Sequence, residues 1–257
     1  YPNPDKYVRF FSPARALEIV KHNLSKAPGT TVIGFVDDLF TWDRKWLTEF
    51  CSLYAKEVHK PFVCCSLVDL MSDETAACLK KAGCVVVNFG LESGSEWLRR
   101  HVMNRKHSNR TIESAFQTVR KHGIKTHSYS MFGFPFETAR MQQETVGLNL
   151  RIRPDSGTCH YFFPYPGTRL YQLCEDYDLL EDGYEDKSGY FESPSVVERH
   201  VSHKETERNF QILQLYFYIR IVFSNARLPV IVERFVFRAE AALRKALFPF
   251  CNITTRD

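Results

Sequence analysis

Two adjacent carboxylates, Asp37 and Asp38, and a third, Glu92, stand at the ends of apolar stretches in a chain of 257 residues. A carboxylate so placed suits a ligand ammonium group, or accepts two hydroxyl hydrogen bonds of the kind a ribose offers. Charged hydrogen bonds of that type are worth roughly 1.5–3 kcal/mol each. Glu92 is flanked by Gly90 and Gly94, which let a ligand approach the backbone closely. Asp37-Asp38 reads equally as a turn or capping pair ahead of Asp43, and Glu92-Ser93 as the start of the next helix. Gly133-Phe134-Pro135 breaks another apolar run, and Glu137 suits the first turn of the helix that follows. Glycine with exposed backbone groups can read a flat base edge there, or form an ordinary strand-to-helix turn. Pro164-Tyr165-Pro166-Gly167-Thr168 is a rigid turn on either reading.

The other chemistry-bearing residues point away from a metal site. His101, His107, His122, His127, His160, His200 and His203 show no ligand spacing on one face, and no four-ligand zinc pattern is present. Adjacent Cys64 and Cys65 face opposite ways on a strand and do not chelate together. The eight cysteines, Cys51, Cys64, Cys65, Cys78, Cys84, Cys159, Cys174 and Cys251, fall mostly in predicted strands or on apolar helix faces. They read as reduced thiols, because a chain this long needs no disulfide framework.

An alternating beat of strands and helices must position the carboxylates and glycines. Ser12-Pro13 caps and opens a helix carrying Ala16, Leu17, Val20 and Leu24, and a strand follows at Thr30–Val36. Asp43 caps a helix through Trp46, Leu47, Phe50, Leu53 and Tyr54, and Phe62–Leu67 is a short strand. Ser72 opens a helix that stops at Gly83. Cys84–Phe89 is so continuously apolar that it reads as a strand buried on both faces. Then come a helix at Thr111–Lys121, a strand at Ile124–Phe132, a helix at Glu137–Arg151 and a strand at Gly157–Phe163. Strand and helix in turn make right-handed crossover units, and hence a barrel or part of one, with ligands expected at the C-terminal strand ends.

Beyond Thr168 the beat fails: Glu175–Glu198 is acidic and loop-like, and Ser202–Phe223 and Leu228–Leu247 read as two amphipathic helices broken near Pro229. Three regions are therefore expected, a barrel core over 1–174, a loop-rich linker over 175–200 and a helical tail over 201–257. The 34 basic and 30 acidic residues give a net charge of +4 and are interleaved, which argues against nucleic-acid binding. No stretch reaches the ~20 apolar residues of a membrane helix, no export signal opens the chain, and a cytoplasmic protein with a small-molecule substrate is expected.

Taken in order, the segments resemble the radical SAM superfamily, and most closely its members with a cobalamin domain. The pieces are Gly34-Phe35-Val36-Asp37-Asp38-Leu39-Phe40-Thr41, Val68-Asp69-Leu70, Lys80-Lys81-Ala82-Gly83-Cys84, Gly90 to Ser95, Met103-Asn104-Arg105-Lys106, Gly133 to Thr138, and Phe163 to Thr168. They run from about Tyr7 to Cys174. The resemblance implies a partial (β/α) TIM-like barrel with a C-terminal helical tail. In such a barrel a 4Fe-4S cluster binds S-adenosylmethionine and cleaves it reductively, giving a 5′-deoxyadenosyl radical that takes hydrogen from a substrate. It further implies a reductant partner such as ferredoxin or flavodoxin, and cobalamin in an upstream domain that supports methyl transfer or rearrangement. Carried over by position, Asp37 and Asp38 contact the methionyl amino group, Glu92 with Ser93 holds the ribose, and Gly133 with Phe134 lines the adenine. Phe163 and Tyr165 flank the substrate side.

The chain departs from the family in lacking the Cys-x3-Cys-x2-Cys loop and the first strand that carries it, and in having Leu67 where relatives often carry arginine. Thiolates are what hold such clusters, so this chain alone is expected to bind none and to be inactive. The absent starting Met makes truncation of a normal enzyme the expectation over genuine loss, with the cluster cysteines upstream of Tyr1. Two rivals stay open: a non-catalytic nucleoside-binding remnant of the barrel, and an ordinary barrel enzyme using Asp37, Asp38 and Glu92 as acid–base groups. A barrel without its first strand is also expected to leave an unpaired edge prone to association.

Overall fold

A computed structural model describes residues 10–184, 194–197 and 199–225, with side chains described up to residue 222. Five parallel strands form one sheet in the order β1-β2-β3-β4-β5, and each follows its neighbour in sequence through a helix, as crossover units require. The strands are β1 (Ile33–Phe35), β2 (Phe62–Ser66), β3 (Cys84–Glu92), β4 (Lys125–Phe132) and β5 (Ser156–Tyr161). The helices are α1 (Pro13–Lys26), α2 (Arg44–Glu57), α3 (Asp73–Ala82), α4 (Glu96–His101), α5 (Asn109–Lys121), α6 (Ala139–Ile152), α7 (Arg169–Asp176) and α8 (His203–Asn225). The result is half of a (β/α) barrel, helices outside and a concave face inside.

The expected caps operate locally. Ser12 and Asp43 accept from backbone N–H groups three residues on, as does Ser72 at the start of α3, and Gly83 ends that helix in the left-handed conformation with φ 99°. Each cap satisfies donors that the first turn leaves orphaned. Alternate strand residues then bury one face against the helices: Phe62, Cys64, Val87, Phe89 and Leu91 are fully buried with Leu47, Phe50, Tyr54, Leu79 and Phe116.

Four expectations change. β3 is not buried on both faces, because Val85 is 39% exposed and Val86 and Asn88 are half-buried, looking into the open half-barrel. β3 also runs on through Glu92, which the sequence places beyond the strand; a register shift between Gly90 and Glu92 against β4 marks the spot. The helix expected from Glu137 starts at Ala139 with Thr138 as its cap, so Glu137 lies ahead of it. The short helices α4 and α7 occupy stretches that carry too few apolar positions to announce a helix. The helix expected at Leu228–Leu247, part of the 175–200 linker and Cys251 lie outside the described residues.

α8 closes the far side of the sheet. Phe210, Leu213, Tyr216 and Phe217 pack with Phe132, Val146, Cys159 and Tyr161, and Gly157 on β5 is the point of closest approach. At the other side β1 pairs only with β2 among the described residues, and Val36 just past it is 87% exposed. A groove of about 550 Å³ lies there, lined by Phe11, Ile19, Leu24, Phe35, Phe40 and Trp46 among others. No helix among the described residues is long and apolar enough to cross a membrane.

A Cβ on Gly157 would stand 2.5 Å from the Phe217 ring. Gly157→Ala should therefore lower stability by about 1–3 kcal/mol through overpacking, read as a fall in urea midpoint. Gly29→Ala, where a Cβ meets nothing within 4 Å, should move it by less than about 0.5 kcal/mol.

Candidate functional site

Because the strands are parallel, their C-terminal ends share one rim, and Asp37, Asp38, Glu92, Gly133 and Phe163 all stand on it. Asp37 and Asp38 are exposed in the turn after β1. Their negative field reaches inward to Cys65 on the concave face of β2, where burial chiefly pushes the thiol up, the Asn88 side chain opposes the rise, and Asp38 and Asp37 add to it.

Glu92 is the tightest feature of the rim. It holds a left-handed backbone with φ 62°, a conformation uncommon for a residue with a side chain. Its side chain is 15% exposed and pairs with Arg105, Nη2 to Oε1 3.3 Å. Burial raises the carboxyl above the usual carboxylate range, and the Arg105 guanidinium opposes that rise. Arg105 also donates to the Gly90 carbonyl at 3.1 Å. A Cβ on Gly90 would lie 2.5 Å from Glu92 Oε1 and force that carboxylate to move.

Arg99, fully buried on α4, fixes the loops on either side of that pair. It donates to the Ser93 carbonyl, to the Asn109 side chain at 2.7 Å and to the His107 carbonyl at 3.4 Å. Burial pulls its guanidinium down to about 10, so it stays charged at neutral pH. The segment it clamps, Met103-Asn104-Arg105-Lys106-His107, leads over the rim, and His107 Nδ1 comes 3.6 Å from Asp69 in the turn after β2. Leu67 contributes no charge at the end of β2, and Arg105 supplies one from the loop after α4.

Ser93 and Phe134 sit on the rim with their side chains buried. Ser93 is buried with its hydroxyl 3.3 Å from Thr145 Oγ1 and accepting from the Ser95 N–H at 3.2 Å. Phe134 is buried with its ring 5.0 Å from Phe162. Gly133, at φ 83°, donates its N–H to Glu137 Oε2 at 2.7 Å. Glu137 therefore turns back onto the strand end, and Thr138 caps the helix by accepting from the Met141 N–H. Phe163 is half-buried with Tyr165 and Tyr184 at 5.0 and 6.0 Å, and Tyr165 is exposed.

The concave face holds residues that the sequence reading passed over. Cys65, Asn88, His127, Tyr129 and His160 line it, with Asn88 Nδ2 3.8 Å from Cys65 Sγ, His127 Nδ1 2.8 Å from Ser156 Oγ, and Tyr129 packed between His127 and His160. Burial, then His160, pulls His127 down to about 4, and burial lowers His160 too. Both imidazoles are neutral at pH 7. Burial first and the Cys65 field second raise Tyr129. The wall below the charged rim is thus neutral and rich in hydrogen-bonding groups. The available signal was the alternation of His127, Tyr129 and Met131 with Thr126, Ser128 and Ser130, but both sets contain polar residues, so hydropathy could not tell inside from outside. Among the described residues no group of His, Cys, Asp and Glu could hold a metal ion.

The pattern of the Radical SAM superfamily matches residues 2–148. An uncharacterised methyltransferase of Pyrococcus horikoshii is 28% identical over 153 residues, covering 59% of this chain and 33% of the relative. The bacteriochlorophyllide d C-12(1)-methyltransferase of Chlorobaculum tepidum is 22% identical over 142 residues, 55% of this chain and 31% of the relative. The chain thus spans about a third of the length of these curated relatives. In fold it is similar to the cobalamin-dependent S-adenosylmethionine radical enzyme OxsB, with TM-score 0.59 at 14% identity over 93% of this chain and 42% of that one. It is also similar to coproporphyrinogen III oxidase of Escherichia coli, with TM-score 0.55 at 10% identity over 74% and 41%.

Removing the Arg99 fork leaves buried carbonyls without donors, each worth about 1–3 kcal/mol. Arg99→Met should cost about 3 kcal/mol in urea unfolding, and Arg99→Lys should recover little because an ammonium cannot span three acceptors.

Proposed function

The chain belongs to the radical SAM superfamily, whose members use S-adenosylmethionine and a 4Fe-4S cluster, and we propose that this half-barrel supplies the surface that binds the S-adenosylmethionine nucleoside and amino acid in such an enzyme. The observation that carries the reading is Glu92: a carboxylate set deep in the rim, held by one arginine, on a strained backbone between two glycines. Its oxygens are acceptors for the ribose hydroxyls. Asp37 and Asp38, exposed two strands away on the same rim, suit the methionyl ammonium. The loop after β4, at Gly133 and Phe134, is the place for the adenine, through backbone atoms, since the Phe134 ring is engaged elsewhere. Phe163 and Tyr165 border the substrate side.

The donor set fits S-adenosylmethionine, an ammonium and a diol meeting carboxylates. It does not fit the cluster. The eight cysteines hold no Cys-x3-Cys-x2-Cys triplet, and of the seven described only Cys65 faces the concave side. Cluster ligands are not among these residues, and no step is assigned through it. S-adenosylmethionine, when bound, supplies the radical or methyl chemistry of the family. What the chain's own residues do is orient it and shield it. Glu92 fixes the sugar, and the Arg105 guanidinium opposes the rise that burial imposes on its carboxyl. His127, Tyr129 and Asn88 offer neutral hydrogen-bonding groups, without a charge, to a substrate in the hollow. Methyl transfer to a small molecule is the reaction we favour, because both curated relatives are named methyltransferases. Cobalamin enters the proposal from the fold likeness to OxsB, and no residue of this chain is assigned to it. A reductant partner, a cytoplasmic setting and the division into a core over 1–174, a linker over 175–200 and a tail over 201–257 belong to the same proposal.

Calorimetry of S-adenosylmethionine with this chain tests the reading. Loss of even one charged hydrogen bond at Glu92 corresponds to about tenfold in affinity, so Glu92→Ala should weaken binding at least tenfold, and equal affinity in the two proteins would overturn the assignment.

The pH dependence has a definite sign. The ionised form of Glu92 accepts the hydroxyls, and its pKa is raised in the folded chain. Affinity should therefore be full above that pKa and fall on acidification at a higher pH than an ordinary carboxylate, near 4.3, would give. Arg105→Ala should move the fall to still higher pH, measured by the same titration across buffers.

A further inference from the structure

We infer that Asp69 and His107 are positioning residues, which touch no ligand themselves and hold the Arg105 guanidinium against the Glu92 carboxylate. The inference deepens the nucleoside reading and rests on it for the ligand, while the contacts that carry it join residues of this chain.

Arg105 reaches Glu92 from the loop between α4 and α5, so its aim depends on how that loop is held. The first half continues α4: the Met103 N–H donates to the Leu98 carbonyl at 3.1 Å and the Arg105 N–H to the Arg99 carbonyl at 2.7 Å, with Asn104 between them turned left-handed at φ 55°. Those bonds fix the Arg105 backbone. They do not fix the chain beyond it, where Lys106 is exposed. His107 is the side chain that turns in. It is 5% exposed, with Nδ1 3.6 Å from Asp69 Oδ2. Asp69 stands in the single helical turn Val68–Leu70 after β2, and α5 packs against that turn. The loop is therefore anchored on α4 before Arg105 and on the β2 turn after it. Between the two anchors Arg105 donates to the Gly90 carbonyl at 3.1 Å and lies 3.3 Å from Glu92 Oε1.

His107 is a costly residue for this place. Its Nε2 is buried and has no hydrogen-bond partner among the described residues, and an orphaned buried nitrogen lowers stability. An apolar side chain would fill the space without that penalty. What it would lack is the group facing Asp69. Burial first and Arg99 second lower the imidazole from its ordinary value, Asp69 opposes them, and Arg105 adds to the lowering. The ring is thus neutral at pH 7 and carries one N–H. A carboxylate repels a bare lone pair, so the proton belongs on Nδ1. At 3.6 Å the contact is longer than a hydrogen bond; it is an electrostatic tie between two loops. Its effect is one of direction, drawing the loop toward β2 and keeping Arg105 over the end of β3.

The test titrates Glu92 in this chain by carbon NMR of labelled glutamate carboxyls, its resonance identified by its loss in Glu92→Gln. Asp69 is 54% exposed, so Asp69→Asn is a variant that should fold. Loss of a neighbouring negative charge by itself lowers a carboxyl pKa, whereas loss of a cation's contact raises it. A rise of the Glu92 midpoint in Asp69→Asn is the expected result, and an unmoved or lowered midpoint would overturn the proposal. Calorimetry with S-adenosylmethionine gives the second readout. His107→Ala should weaken binding by roughly two- to tenfold, and His107→Asn, whose amide N–H replaces Nδ1–H, should recover most of the loss. On a Glu92→Ala background, His107→Ala should change nothing further, because no carboxylate remains to be aligned. An equal loss on both backgrounds would mean a general loosening of the rim and would overturn the positioning role. Should Glu92→Ala itself leave the affinity intact, the nucleoside reading fails, and the Glu92 midpoint in Asp69→Asn still decides this inference.

Discussion

A chain of buried polar side chains along α6 holds the site in register, and the rest of the structure depends on it. Asn149 accepts from Ser128 at 2.8 Å and donates to Ser130 at 3.0 Å on β4; one turn on, Thr145 accepts from the Gly94 N–H at 2.8 Å beyond β3; then Gln142 donates to Thr206 at 2.8 Å and accepts from Asn209 at 2.9 Å on α8. Glu137, ahead of the helix, completes the line at the Gly133 N–H. Each of these groups is buried, and a buried polar group without its partner is costly. A shift of one residue in β4 would unpair several at once. One helix thus sets the height of both the Ser93-Gly94 turn and the Gly133 turn, and seats the tail helix as well. Gly94 records how closely the pieces meet: a Cβ there would be 2.2 Å from the Glu144 carbonyl.

Around that frame the charges are distributed by depth. Carboxylates and Arg105 stand on the rim, while the concave wall below carries His127 and His160 in their neutral forms. On the proposed reading, a zwitterionic ligand would meet charge at the rim, and a substrate farther in would meet hydrogen-bonding groups without a net charge. Buried ionised groups survive only with partners. Glu92 has one arginine and Arg99 has three acceptors. That asymmetry separates them: the two terminal nitrogens of Arg99 are spent on loop acceptors, whereas Glu92 retains acceptor capacity.

The thiols divide along the same lines. Among the seven described cysteines, Cys64 and Cys84 meet between the sheet and its helices, Sγ to Sγ 4.0 Å, and Cys65 alone faces the hollow, raised chiefly by burial. Among the described residues, soft ligands for iron are therefore not gathered on the ligand side of the sheet, whereas the helical side gathers Cys51, Cys64, Cys78 and Cys84.

The sequence by itself determined the half-barrel. Serine and aspartate caps, the stop at Gly83 and the alternation of β-branched and amphipathic runs are local signals, and local signals survive without the fold; the carboxylates and glycines at strand ends were legible for the same reason. It could not say that Ser93 and Phe134 face inward, that Glu137 folds back onto Gly133, or that Arg105 is the partner of Glu92. Nor did it distinguish the ligand side of β4 from the helix side, because Thr126, Ser128 and Ser130 are polar residues buried by a helix some twenty residues downstream. Those facts depend on which distant groups satisfy a buried donor or acceptor, and only the tertiary structure, by bringing α6 across β4 and the loop after α4 across β3, decides that.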